Sequence, residues 1–286
     1  MNKKASVQLG PLTVHSAESD VSRMAILLWG PSGAGKTTFA ATAPGKKLWL
    51  SMGDNEHVSV LHRKDVQFVK LYELELNDLI KHGKSDNPFG LDAFLRDNTD
   101  IETVVFDSLT ALAFRALQSA IDQGIGAGGT FRPSIETPGI SAYGARNAIC
   151  LATLTGLLRV TAKHDCHIIV TAHEDDPTTQ KSGKDDVIDH IGIMLGGKIV
   201  NNVTWRLSEI WYMSQKDTGD KSRRLAIRPT RLRRPMKTRM FVDNAAPEFD
   251  LSYDAAKPDN AKGQMTIAAW YEEWVKGKGA KLEIPK

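Results

Sequence analysis

Residues 24 to 38 read Met24-Ala-Ile-Leu-Leu-Trp-Gly-Pro-Ser-Gly-Ala-Gly-Lys-Thr-Thr38. Five apolar residues, Ala25 to Trp29, form a run too short for an independent helix and suited to a strand buried on both faces. The run empties into Gly30, Pro31, Ser32, Gly33, Ala34, Gly35, Lys36, Thr37 and Thr38, which contain the full G-x-x-x-x-G-K-[ST] signature of a phosphate-binding loop. From average composition the fixed positions would coincide by chance in only about 1% of chains this long. Glycines let the backbone turn its N–H groups inward on phosphate oxygens, and the helix that opens at Thr37 faces the same anion with its positive end. Lys36 supplies a mobile ammonium, and the Thr37 hydroxyl can ligate Mg²⁺. A nucleoside triphosphate with Mg²⁺ is the pair that this stretch calls for.

Working outward, the next strand, Lys47 to Ser51, ends in Met52-Gly-Asp-Asn-Glu-His57. Acids just beyond a strand's carboxyl end lie where open α/β sheets bind ligands. Glu56 and Asp54 therefore compete to orient and deprotonate a water, and either could instead cap the helix that follows. Thr103-Val-Val-Phe-Asp-Ser108 is a second buried strand closed by an acid, and Asp107 at its tip suits a Mg²⁺ site. A third strand, Cys166 to Ala172, closes on His173, whose imidazole would look at the γ-phosphate region.

Bulk properties frame these motifs. The chain has 286 residues, 41% hydrophobic and 25% charged, with 37 basic against 34 acidic side chains. That length suits one large α/β domain, and a net charge of +3 argues for no partner. Cys150 and Cys166 are the only cysteines and read as reduced core thiols. No signal-peptide or membrane-length apolar segment occurs, so a cytoplasmic protein without a membrane partner is expected. Residues 1–22 read as an N-terminal arm with a short strand near Leu12 to His15. Residues 23–245 read as the core, and 246–286 as a C-terminal extension with an amphipathic helix near Met265 to Val275 and a basic tail. Short helical patterns occupy Thr37 to Thr42 and Glu75 to His82, with a strand from Val66 to Leu71 between them. Helical periodicity is clear from Leu109 to Ile121 and over 142–164. Two long loops are predicted, 124–141 and 174–198, and loops of that length tend to carry function. Val203 to Ser214 and Arg224 to Arg228 read as a hairpin. Eight basic residues and no acid fall between Arg223 and Arg239.

In this order the motifs resemble a RecA-like recombination ATPase, most closely the compact RecA-like proteins that phages encode for single-strand annealing. The resemblance spans roughly residues 24 to 241 and rests on the phosphate loop, Val-Val-Phe-Asp-Ser, Ile-Val-Thr-Ala-His, the two loops, Gly196-Gly197 and the segment Ile227 to Lys237. It implies an α/β fold: a RecA-like P-loop core with a mostly parallel central sheet flanked by helices and extended by an antiparallel hairpin. It further implies ATP hydrolysis with Lys36 and Thr37 on phosphate and metal, Asp107 on metal, Glu56 as base and His173 as γ-phosphate sensor. Arg228 and Arg231 would be fingers reaching a neighbouring copy's nucleotide in a homo-oligomer, filament or ring, in the host cytoplasm if phage-encoded. Phe131, Arg132, Lys181, Lys184 and Lys198 would contact single-stranded DNA, with a single-stranded DNA-binding protein as a candidate companion. Rival readings are a motor or helicase-loader ATPase of the same fold, and a P-loop kinase or nucleotide-gated interaction protein without DNA affinity.

Overall fold

The computed structural model describes residues 7–9, 12–14, 23–54, 56–125, 134–182, 185–196, 198–215, 222–244, 246–254 and 256–284. At the front of the chain β1 (Val7–Leu9) pairs antiparallel with β2 (Leu12–Val14). The core then runs β3 (Ala25–Gly30), α1 (Lys36–Ala40), β4 (Lys46–Ser51), β5 (Val66–Lys70), α2 (Leu76–Gly83), α3 (Leu91–Asp97) and β6 (Ile101–Asp107). It continues with α4 (Leu109–Asp122), α5 (Gly139–Lys163), β7 (His167–His173), β8 (Thr178–Ser182), β9 (Asp185–His190) and α6 (Ile199–Thr204). β10 (Glu209–Gln215), β11 (Arg223–Ala226), β12 (Glu248–Leu251) and α7 (Ile267–Lys276) complete it.

Among the described residues, eight strands form the main sheet in the order β12-β11-β10-β3-β7-β6-β4-β5. β10, β3, β7, β6, β4 and β5 are mutually parallel, while β11 and β12 add antiparallel at one edge. This is the expected α/β class, a mostly parallel sheet flanked by helices and extended by an antiparallel hairpin. Successive side chains of the central strands feed two separate cores. Leu27, Trp29, Val104, Phe106, Ile168 and Val170 pack under α2 to α6. Ile26, Leu28, Val105 and Ile169 pack with Phe39 of α1 and Ile267 and Trp270 of α7. Burial on both faces is why these strands read as unbroken apolar runs. Trp270 meets Phe39, Trp211 and Phe241 edge-on at centroid distances of 5.8, 5.8 and 5.2 Å, seating the C-terminal helix in the second core.

Several local expectations are corrected. The stretch 174–198 is no structureless loop: β8 and β9 pair antiparallel within it. Val203 belongs to α6, because Ile199, Val203 and Leu207 recur at helical spacing and are all buried, and the strand begins only at Glu209. The partner strand stops at Ala226. α3 and β12 add to what the pattern offered. Helix α1 is one turn ending at Ala40, and Thr42 caps it by donating to the Phe39 carbonyl at 2.7 Å. Both cysteines are free and buried, and burial pushes the thiols up to about 12 for Cys150 and about 11 for Cys166. No described helix is long and apolar enough to cross a membrane.

His167, 4% exposed, accepts the Met24 N–H on Nδ1 at 3.0 Å and meets the Tyr271 ring at 4.3 Å. Burial, with the Arg23 charge second, lowers its pKa to about 4. An unfolded histidine binds a proton below about pH 6.5 that the folded one refuses until about 4, so stability is lost as pH falls through that window. At about 1.4 kcal/mol per unit, the loss attributable to His167 is roughly 3 kcal/mol. In His167→Asn, the unfolding free energy against pH between 4 and 6.5 is expected to be shallower by about one proton. Identical slopes in urea titrations of the two proteins would contradict this account.

Candidate nucleotide site

The site forms where β3, β4, β6 and β7 end together. Gly30 closes β3 at φ 146°, and a Cβ there would lie 2.1 Å from the Met213 carbonyl oxygen, so no larger residue fits between β3 and β10. Gly35, at φ 91°, ends the loop and precedes α1. Lys36 is buried, and its ammonium donates to the carbonyls of Gly30 at 2.9 Å and Pro31 at 2.8 Å. Burial lowers its pKa, and Asp107, Glu174 and Glu56 work against that shift.

Asp107 is 3% exposed at the tip of β6. Its Oδ2 accepts from Thr37 Oγ1 at 3.1 Å and its Oδ1 from the Thr171 hydroxyl of β7. Burial first and the charge of Glu56 second push this carboxyl up to about 6. Glu56 opens a short 3-10 turn after β4. Its Oε2 accepts the Gly53 N–H at 2.9 Å, its Oε1 accepts from Ser108 Oγ at 3.2 Å, and His173 Nε2 lies 4.0 Å from Oε1. Capping and site-facing thus use different oxygens of one carboxylate. Asp54 is exposed and turns no contact toward this cavity. His173 is held by its backbone N–H, which donates to Thr110 Oγ1 at 2.9 Å.

These groups line one cavity of about 450 Å³, shared by Ser32, Gly33, Gly35, Lys36, Thr37, Thr38, Glu56, Asp107 and His173. Residues from four separated segments therefore converge on one cavity. The donor set suits a triphosphate and Mg²⁺: an ammonium for oxyanions, with one hydroxyl and one buried carboxylate for a hard cation that keeps waters in its other positions. Among the described residues no cluster of three or more His, Cys, Asp or Glu could cage a metal by itself.

Val58, Ser59 and Arg223 also line the cavity, and of these Arg223 is the charged group that the sequence reading missed. Arg223, the first residue of β11, lies across the loop so closely that a Cβ on Gly35 would fall 2.4 Å from its Nε. Its Nη1 donates to Tyr253 Oη at 2.6 Å. In the sequence it was one of eight similar basic residues, and only the pairing of β10 with β11 singles it out.

The remaining predicted residues lie elsewhere. Arg228 donates to the Val242 carbonyl and is 3.8 Å from Asp243 within its own chain. Arg231 is exposed. Lys198 is exposed beside α6, and Lys181 lies on β8. Phe131, Arg132 and Lys184 fall outside the described residues.

A family profile described as an AAA domain matches residues 22–239. The chain belongs to this AAA domain family, AAA_24. In this chain the AAA domain carries its phosphate loop between β3 and α1 of a mostly parallel sheet. No curated protein matches the chain. Among solved structures, the AAA domain is similar to a KaiC-like protein, PH0186, from Pyrococcus horikoshii OT3, at 13% identity over 81% of this chain and 86% of that one, with a TM-score of 0.42. It is also similar to the RadB recombinase, at 13% identity over 73% of this chain and 86% of that one, with a TM-score of 0.39.

Two outcomes are expected at this site. Asp107→Asn removes a buried charge that its surroundings disfavour, so the melting temperature without metal at about pH 7.5 should hold or rise while Mg²⁺-dependent nucleotide binding is lost. A fall of several degrees in calorimetry would show that Asp107 stabilises the fold. Arg223→Ala should weaken nucleotide affinity by about tenfold, the effect of one charge-assisted hydrogen bond, measured by fluorescent-nucleotide titration.

Proposed function

We propose that the protein is a Mg²⁺-dependent ATPase of the RecA-like kind, assembled so that each site is completed by a neighbouring copy, and that it grips single-stranded DNA in the ATP-bound state. The observation that carries the reading is the convergence of Lys36, Thr37, Asp107, Glu56 and His173 on one cavity at the phosphate loop.

Each residue has a role that follows from its surroundings. Lys36 exchanges the carbonyls of Gly30 and Pro31 for β- and γ-phosphate oxygens, an exchange its burial favours because the ammonium gains full charges in place of dipoles. Thr37 and Asp107 would hold Mg²⁺, which when bound neutralises charge on the phosphates. Glu56 orients the attacking water in line with the γ-phosphate and takes its proton on Oε1, the oxygen turned toward Ser108 and His173. His173 reads the γ-phosphate. Its carbonyl accepts the Met194 N–H at 2.9 Å, and Glu174 bridges Ile193, so a displacement of His173 is felt at the segment that closes the β8–β9 pair. That linkage supports a coupling between triphosphate and a DNA-contacting segment around the β8–β9 pair, with Lys181 and Lys198 among the proposed contacts and Lys184, Phe131 and Arg132 as the further candidates from the sequence.

Arg231 is the finger offered to the next copy, as its exposure supports, and Arg228 braces the same segment through Val242. The resemblance of its motifs to compact RecA-like proteins encoded by phages supports single-strand annealing as the role. A single-stranded DNA-binding protein would hand over the strand.

Lys36→Ala is expected to abolish turnover. Glu56→Gln should lower kcat by about 10² to 10⁴ while ATP affinity is kept. Arg231→Ala should lose hydrolysis without losing nucleotide binding, and mixing it with Lys36→Ala should restore part of the activity, since a mixed interface joins an intact loop to an intact finger. Absence of complementation, with Arg231→Ala fully active per site, would refute the shared site. Anisotropy of a labelled single strand with ADP and with a non-hydrolysable ATP analogue tests the DNA grip, and equal affinity in the two states would refute it.

A further inference from the structure

At the opposite end of the sheet, where β3 and β10 begin, Arg23, Arg206, Arg239, Trp205 and Ser208 line a polar cavity of about 270 Å³. β3 runs from there to the phosphate loop, six residues at about 3.3 Å each, so the two sites lie roughly 20 Å apart. Nothing in the nucleotide chemistry uses these arginines.

The three cations come from three separated segments and are brought together by the core. Arg23 leads into β3, Arg206 follows α6, and Arg239 is placed by its backbone N–H, which donates to Glu209 Oε1 at 2.8 Å. None is paired with an acid among the described residues. Arg23 Nη1 is shielded from solvent and has no hydrogen-bond partner. Arg206 spends only its Nε, on the Asn202 carbonyl at 3.1 Å. Glu209, the acid closest to Arg239, is 2% exposed and fully engaged by Trp211 Nε1, Thr238 Oγ1 and the N–H groups of Arg239 and Met240. An uncompensated positive cavity of this kind attracts an anion.

Trp205 narrows the choice of anion. It is 63% exposed, and the Arg206 guanidinium covers one face of its ring at 4.5 Å, which leaves the other face as a flat apolar platform. The guanidinium groups around the cavity match the geometry of a phosphate group. Phosphate beside an aromatic platform is the pattern offered to a phosphodiester strand whose bases are unpaired, since a duplex hides its base faces. We propose that this pole is a second binding site, independent of ATP, at which Arg23, Arg206 and Arg239 hold the backbone of a single-stranded nucleic acid and Trp205 stacks on a base.

The test uses the full chain without nucleotide and a fluorescein-labelled oligothymidine, followed by anisotropy over a salt series. The triple variant Arg23→Gln, Arg206→Gln, Arg239→Gln should bind at least about tenfold more weakly. Its slope of log affinity against log salt should fall by about 2, from about 0.7 per lost phosphate contact. Trp205→Ala should weaken binding by about tenfold with an unchanged slope, and iodide quenching of the wild-type protein, absent in Trp205→Phe, should be relieved by the strand. Turnover of ATP without nucleic acid should be unaffected in each variant, which separates this site from the nucleotide site. Should the triple variant fail to fold, the exposed Arg239→Gln alone should lower the slope by about 0.7. Unchanged slope and affinity, equal binding of a duplex of the same length, or full displacement by inorganic tripolyphosphate with no effect of Trp205→Ala would each overturn the proposal.

Discussion

A single carboxylate buried at the sheet's edge, Asp107, sets the terms for its surroundings. An ionised carboxyl that has left water costs several kcal/mol unless donors and opposite charge meet it. Thr37 comes to it from the phosphate-loop helix and Thr171 from the neighbouring strand, while Lys36 adds positive charge. Even so its proton affinity stays high, because burial disfavours the charge and Glu56 then places a second negative group nearby. The carboxylate end of the site is therefore short of positive charge, which a divalent cation held by Thr37 and Asp107 would supply.

That arrangement depends on strand order. β7 lies between β3 and β6, so Gly30 stands beside His173 and Phe106 beside Val170. A sheet with β3 directly against β6 would lose both Thr171 and the histidine from the site. The two cores hold this order from opposite sides. The C-terminal segment serves one of them through Trp270 and reaches the loop through Tyr253, which steadies Arg223 above Gly35. Chemistry at the front of the chain is thus finished by residues near its end.

What the sequence made legible was whatever depends on short range. The apolar runs of β3, β6 and β7 follow from burial on both faces, and the glycines of the loop follow from backbone conformations that other residues avoid. Glu56 and His173 were legible because a polar residue after such a run must face the carboxyl edge of the sheet. Arg223, β12 and the β8–β9 pair were not. Glu248-Phe-Asp-Leu251 alternates over only four residues and is a strand because β11 offers it an edge, while β8 and β9 hold just two apolar residues, Val187 and Ile188, so neither signal is long enough to read. The arginines near Trp205 were likewise invisible, since residues 23, 206 and 239 become neighbours only when β3 and β10 align at their starts.

The two deep thiols carry a practical consequence. Alkylating and maleimide reagents attack the thiolate, and with Cys150 held at about 12 and Cys166 at about 11 almost none exists near neutral pH. A cysteine introduced on the surface would be the chain's single reactive handle. Dyes or spin labels could then test for the proposed subunit contacts and strand binding in an otherwise wild-type background, with no native residue removed to make room for them.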